Sequence, residues 1–224
     1  MLTLVTGGSG SGKSAFAESL AGRLDGDRFY LATMEVFGEE SKARVRRHRA
    51  QRAALGFTTI ECPTGLLKLQ LPQNANVLLE DLSNLLANEM FSPSGAHTLK
   101  SPKADALNGP GANVPDCPGA DVLNDPEADW LKEQGADPEE DPALEAVRRG
   151  IGMLERSCTN LTVVTNEVFS GGCSYEGDTL LFMKNLALLN REIASRADLV
   201  VEVVCGRPLI YKGSLPQRKD AAKN

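Results

Sequence analysis

Gly7-Gly8-Ser9-Gly10-Ser11-Gly12-Lys13-Ser14 is the stretch on which the fold turns. It fits Gly-x-x-x-x-Gly-Lys-[Ser/Thr], the phosphate-binding loop. Leu2-Thr3-Leu4-Val5-Thr6 stands just before it, a short apolar run suited to a buried strand. Ser14 to Leu24 follows, with Phe16, Leu20 and Leu24 four apart as on one face of a helix. Strand, glycine loop and helix are the context in which the motif becomes a site. Glycines let successive backbone N–H groups turn in around an anion, and the helix start adds its partial positive charge. Lys13 is expected at the β- and γ-phosphates, and the Ser14 hydroxyl at Mg²⁺.

Outward from the loop, strands and helices alternate. After the Asp25-Gly26-Asp27 turn, strands are expected over Arg28–Thr33, Phe57–Cys62, Asn76–Asp81, Leu161–Thr165 and Asp198–Val204. Leu209–Lys212 reads as an edge strand after a Cys205–Pro208 turn. Helices are expected over Glu39–Leu55 (closed by Gly56), Leu82–Phe91, Ala143–Arg156, and from an Asp178 cap to Arg196. The alternation predicts an α/β domain with a mostly parallel sheet covered on both faces.

Between Ser92 and Pro142 the composition changes. Eight of the chain's twelve prolines lie there, with eleven acidic residues against three lysines. That is a net charge of −8, which leaves +2 for the rest of a chain whose total is −6. Trp130 is the one aromatic residue in the stretch. Such a segment buries too little apolar surface to offset the entropy of ordering it, so an irregular surface insertion over 92–142 is expected in a single domain of 224 residues. A near-neutral body speaks against nucleic acid or an anionic membrane as partner. No run approaches the roughly 20 apolar residues of a membrane span, and no signal peptide is legible. Five scattered cysteines without a Cys-x-x-Cys read as reduced thiols of a cytoplasmic protein.

Three further groups of residues bear on chemistry. Glu80-Asp81 ends an apolar strand, where ligands of α/β sheets gather, so one of the two carboxylates is expected at the metal beside Ser14. Glu80 is the choice carried forward. On a helix, Arg44, His48 and Arg52 share a face. Like charges at that spacing repel, but they suit an anion, and neighbouring cations favour a neutral, nucleophilic imidazole. A solvated basic helix is the alternative; an RNA-binding patch would need stacking aromatics, which do not accompany these arginines. Asn166-Glu167 at another strand end points either into the same crevice or to ordinary strand-end polarity.

Taken together, these residues resemble the bifunctional adenosylcobinamide kinase / adenosylcobinamide-phosphate guanylyltransferase family of cobalamin synthesis. The resemblance rests on Leu4 to Ser14, Leu31-Ala32-Thr33, Arg44-Val45-Arg46-Arg47-His48-Arg49 with Arg52, Thr59-Ile60-Glu61, Leu78-Leu79-Glu80 with Asn88, Val164 to Val168, Asn190, Ala197-Asp198, and Gly206 to Lys212. It implies a RecA-like phosphate-loop fold, Mg²⁺, and GTP and ATP as substrates beside the corrinoid adenosylcobinamide. It implies a guanylylated histidine, which by motif is His48, with Lys13 as the second catalytic residue. It implies nucleotide contacts at Gly7, Gly8, Ser9, Gly10, Ser11, Gly12, Lys13 and Ser14. The others would be Ala32, Thr33, Met34, Arg49, Ala50, Gln51, Arg52, Glu61 and Glu80, and the assembly a homo-oligomer. The chain differs from many members at Ala53, at Phe169-Ser170-Gly171-Gly172 and in the insertion. A kinase without nucleotidyl transfer and a nucleotide-dependent switch are the other readings; the Asn-Lys-x-Asp of guanine-specific switches is not supplied by Asn166-Glu167.

Overall fold

A computed structural model of the protein describes residues 1–34, 52–96, 141–171 and 175–216. The strands in it are β1 (Leu2–Thr6), β2 (Arg28–Ala32), β3 (Phe57–Glu61), β4 (Asn76–Glu80), β5 (Asn160–Val164), β6 (Leu199–Val204) and β7 (Arg207–Lys212). The helices are α1 (Lys13–Ala21), α2 (Leu82–Phe91), α3 (Pro142–Ser157) and α4 (Gly177–Arg196), with a 3₁₀ turn at Leu66–Lys68. One sheet holds all seven strands in the order β3-β2-β4-β5-β1-β6-β7. Every neighbouring pair is parallel except β6 with β7. The strand that feeds the glycine loop is therefore central, and β5 separates it from the strand that ends in Glu80.

The near-continuous apolar strands are explained by cover on both faces. Leu2, Leu4, Val77, Leu79, Leu161 and Val163 point to one face, under α2, α3 and α4. Val5, Leu78, Val164, Val201 and Val203 point to the other, where α1 lays Ala17, Leu20 and Ala21 on them. Each fully buried leucine or valine contributes roughly 2 kcal/mol through the water it no longer meets.

Most element positions among the described residues follow the sequence reading, and the departures have local causes; of the helix expected over Glu39–Leu55, residues 39–51 lie outside the described residues and 52–54 are helical. α2 runs from Leu82 to Phe91 as expected, because Asp81 caps it and accepts the Asn84 N–H at 2.7 Å. α1 stops at Ala21, where Gly22 takes over, so its buried stripe is Lys13, Ala17, Leu20 and Ala21 rather than Phe16, Leu20 and Leu24. α3 begins at Pro142, whose missing N–H is no loss in a first turn, and the Asp141 carboxylate accepts the Ala143 N–H at 2.8 Å. The last two residues of the expected insertion thus belong to a helix and its cap; residues 97–140 lie outside the described residues. α4 starts at Gly177, one residue ahead of the expected Asp178 cap. β7 takes in Pro208, which an edge strand accommodates with its donor-less nitrogen. The preceding turn is Cys205-Gly206 alone, with φ of 48° and 76°, the pairing that two-residue hairpins favour. No helix among the described residues is long and apolar enough to cross a membrane.

α3 packs on the 3₁₀ turn so closely that a Cβ at Gly150 would stand 2.6 Å from Leu66 Cβ. Gly150→Ala gains about 1 kcal/mol of helix propensity but overpacks a contact that cannot swing aside, at about 1–3 kcal/mol. The expected result is a less stable protein, read as a lower midpoint in urea with an unchanged slope. A higher midpoint would show that the 3₁₀ turn yields.

Candidate functional site

The turn from β1 into α1 is built on glycine. Gly10 and Gly12 have φ of 71° and 90°, a region side chains avoid. At Gly7 a Cβ would lie 2.6 Å from the Val203 carbonyl oxygen and from Ser11 Oγ. Gly7→Ala is therefore expected to push the loop off β6 and cost about 1–3 kcal/mol, read as a lower melting temperature together with weakened GTP binding. Wild-type melting would mean that β6 moves away freely. Gly12 caps α1 with no side-chain acceptor, and the first turn holds no acidic residue. Its N–H groups and the positive end of the helix dipole are left for an anion.

Lys13 is buried at 8% exposure, with Nζ 3.4 Å from the Gly8 carbonyl oxygen as its donated contact. Ser14 Oγ donates to Glu80 Oε1 at 2.5 Å. Burial pushes the Glu80 carboxyl up to about 7; the Ser14 hydrogen bond opposes that rise, the Asp81 charge adds to it and the Lys13 charge opposes it. Glu80 Oε2 is buried and without a hydrogen-bond partner among the described residues. A carboxylate and a hydroxyl held together, with one oxygen unspent, form the kind of hard-oxygen donor set that Mg²⁺ takes.

The neighbouring carboxylate does something else. Asp81 accepts from Asn84 N, from Ser83 Oγ at 2.7 Å and from Asn166 Nδ2 at 3.0 Å, so it ties α2 to the segment after β5. Glu80, not Asp81, faces Ser14. The peptide between the two is cis. Thr33, fully buried, brackets this corner: its Oγ1 lies 2.9 Å from the Glu80 carbonyl and 2.8 Å from that of Asp81, and takes the Asp81 N–H at 2.7 Å. Asn88 Nδ2 donates to the Thr33 carbonyl at 2.7 Å. Two contacts hold the loop from outside it: Glu167 N–H to the Gly7 carbonyl at 3.1 Å, and Gly206 N–H to the Ser11 carbonyl at 2.8 Å.

The structure thus brings Gly7–Ser14 and Glu80 together. Ala32, Thr33, Met34 and Glu61 lie along the same edge of the sheet, where Ala32 is in register with both Glu80 and Glu61. Met34 and Glu61 are exposed, whereas the Thr33 hydroxyl is spent on the backbone. Arg52 is buried with its guanidinium 3.8 Å over the centroid of the Tyr30 ring. His48, Arg49, Ala50 and Gln51 lie outside the described residues. Asn166, open in sequence between crevice and structure, binds Asp81 and Ser83. The Gly206 contact left no sequence signal beyond a turn glycine, because the two partners are far apart along the chain.

An anion cradle at the end of a central parallel strand, with a buried lysine and a hydroxyl–carboxylate pair beside it, is the working edge of a phosphate-loop nucleotide-binding protein. The family model described as Cobinamide kinase / cobinamide phosphate guanyltransferase matches residues 3–210, and the chain belongs to that family. Among curated proteins, the bifunctional adenosylcobalamin biosynthesis protein CobU of Salmonella typhimurium is 35% identical over 98 residues, which cover 42% of this chain and 53% of that one. The protein of the same name from Escherichia coli is 36% identical over 98 residues, with the same shares covered. The matched segment spans about half the length of these curated relatives.

Proposed function

We propose that the chain is a bifunctional enzyme of cobalamin synthesis acting on adenosylcobinamide. In the first reaction the aminopropanol hydroxyl oxygen of adenosylcobinamide bonds to the γ-phosphorus of ATP or GTP. The bond from that phosphorus to the β,γ-bridging oxygen breaks, the diphosphate leaves, and the hydroxyl proton is released. In the second, an imidazole nitrogen of His48 bonds to the α-phosphorus of GTP, and pyrophosphate departs with the α,β-bridging oxygen. A phosphate oxygen of adenosylcobinamide phosphate then displaces the histidine from that phosphorus, giving adenosylcobinamide-GDP and a free imidazole.

The chain's residues have distinct tasks in this scheme. The N–H groups of Gly8 to Ser14 hold the β- and γ-phosphates, and Lys13 neutralises the charge that builds on the leaving group. Ser14 Oγ and the Glu80 carboxylate would hold Mg²⁺, which when bound supplies Lewis-acid stabilisation of that same charge. The unspent Glu80 Oε2 supports that assignment. Ala32, Met34, Glu61 and the run Arg49–Gln51 contact the nucleotide. The enzyme is cytoplasmic, works as a homo-oligomer, and does not bind nucleic acid.

The observation that carries the reading is Ser14 donating to Glu80 beside an uncapped glycine loop, in a chain matched by the family over residues 3–210. Its test is incubation with α-labelled GTP and Mg²⁺. The expected result is protein-bound label that acid removes and alkali does not, the signature of a phosphorus–nitrogen bond. Unlabelled protein that still phosphorylates adenosylcobinamide would leave a kinase alone.

A further inference from the structure

We infer that Asn166 is a positioning residue for the metal-bound nucleotide: its hydrogen bonds to Asp81 and Ser83 hold the start of the glycine loop in register with Glu80. The inference rests on the reading just given. Sheet pairing alone does not fix that register. The ladders that join β1 to β5 and β5 to β4 reach Val5, Val164 and Glu80 and go no further. The loop lies beyond one strand end, and Asp81 beyond another. Residues 165–167 run between them. Thr165 N–H donates to the Val5 carbonyl at 2.9 Å and Glu167 N–H to the Gly7 carbonyl at 3.1 Å, so the backbone on either side of Asn166 is bonded to β1 and to the first residue of the loop. The Asn166 side chain reaches the other way, to the chain after β4. Its Nδ2 donates to Asp81 Oδ2 at 3.0 Å and to Ser83 Oγ at 2.6 Å.

Both partners are set up to receive an N–H. The Asp81 carboxylate only accepts, and Ser83 gives its one hydroxyl proton to Asp81 Oδ1 at 2.7 Å. Asp81 is buried and is fixed in turn by the Asn84 N–H in the cap of α2. The residue before it is Glu80, whose Oε1 takes the Ser14 hydroxyl. Asn166 thereby closes a circuit that runs from Gly7 through Glu167, Asn166, Asp81 and Glu80 to Ser14 and back along the loop. Without it, the loop keeps its own shape, which the glycine dihedrals and the Gly206 N–H to Ser11 carbonyl bond maintain. Its remaining tie to Glu80 is the Ser14 hydroxyl, the same group that is assigned to Mg²⁺. Groups that orient metal ligands from behind in this way are costly to remove.

The test separates register from grip and from folding. GTP affinity is measured by calorimetry twice, in EDTA and in saturating Mg²⁺. In EDTA, Asn166→Leu, similar in shape and unable to donate, is expected to bind GTP within about twofold of wild type. The ratio of the Mg²⁺ affinity to the EDTA affinity is expected to fall about tenfold or more, the usual loss when a group behind a metal ligand is removed. Ser83→Ala breaks the same circuit, so adding it to Asn166→Leu should lower the ratio no further. Should Asn166→Leu not fold, Ser83→Ala alone is expected to lower the ratio about fivefold, the worth of one hydrogen bond. A wild-type ratio in Asn166→Leu would overturn the inference and leave the proposed reaction standing. So would equal losses with and without Mg²⁺, which would make Asn166 a support of the loop's shape alone, or a further loss in the double variant. Wild-type protein that binds no GTP in either buffer would remove the nucleotide reading itself, and the positioning role with it.

Discussion

His48→Ala is expected to carry no covalent GMP under conditions that label the wild type. The phosphorus–nitrogen bond needs a ring nitrogen with a free electron pair, and a methyl group has none. GTP affinity should change by no more than about threefold, because on the proposed reading the triphosphate is held by Gly7 to Ser14 and not by the nucleophile. The chain has one other histidine, His97, so the control is clean. His97→Ala should label as the wild type does. Label that persists on His48→Ala and disappears from His97→Ala would move the nucleophile into the insertion and break the motif-based assignment.

Lys13→Ala should weaken GTP binding about a hundredfold by calorimetry. Charge-assisted contacts to phosphate are each worth about 1.5–3 kcal/mol, and tenfold in affinity is about 1.4 kcal/mol. Lys13 is well placed to deliver that much. It is buried and makes no direct ion pair among the described residues, so its charge is little screened by water and is opposed only through space by Glu80. Unchanged GTP affinity would mean that the loop binds something other than a triphosphate.

What could be read from sequence was whatever one stretch determines by itself. The glycine loop, the apolar strands and the span of α2 are local patterns, and each was found where the residues put it, though Asp81 was expected to close β4 and instead caps α2. The pairing of Ser14 with Glu80 followed from a rule about where ligands of parallel sheets lie, not from either residue alone. Asp81 was the harder case. As one of two adjacent acids it could have faced the metal, and only the fold shows its oxygens committed to Ser83, Asn84 and Asn166. Strand order was not legible, since nothing in β5 announces that it enters between β1 and β4. The partner of Tyr30 was hidden for the same reason: an aromatic within a strand is ordinary until the guanidinium on its face comes into view.

The central place of β1 has a consequence for how the protein is made. Its two neighbours are residues 160–164 and 199–204, and the turn that braces the glycine loop arrives at residue 206. At about 5–20 residues per second, a ribosome needs roughly 10 to 40 s between Ser11 and Gly206. Until residues 160–164 emerge the nascent amino-terminal strand has no partner of its own, and until Gly206 arrives GTP in the cell finds no finished cradle to stabilise. Nucleotide can therefore reward only a chain made at least as far as Gly206, which makes this a protein whose ligand guards the finished fold without guiding its birth.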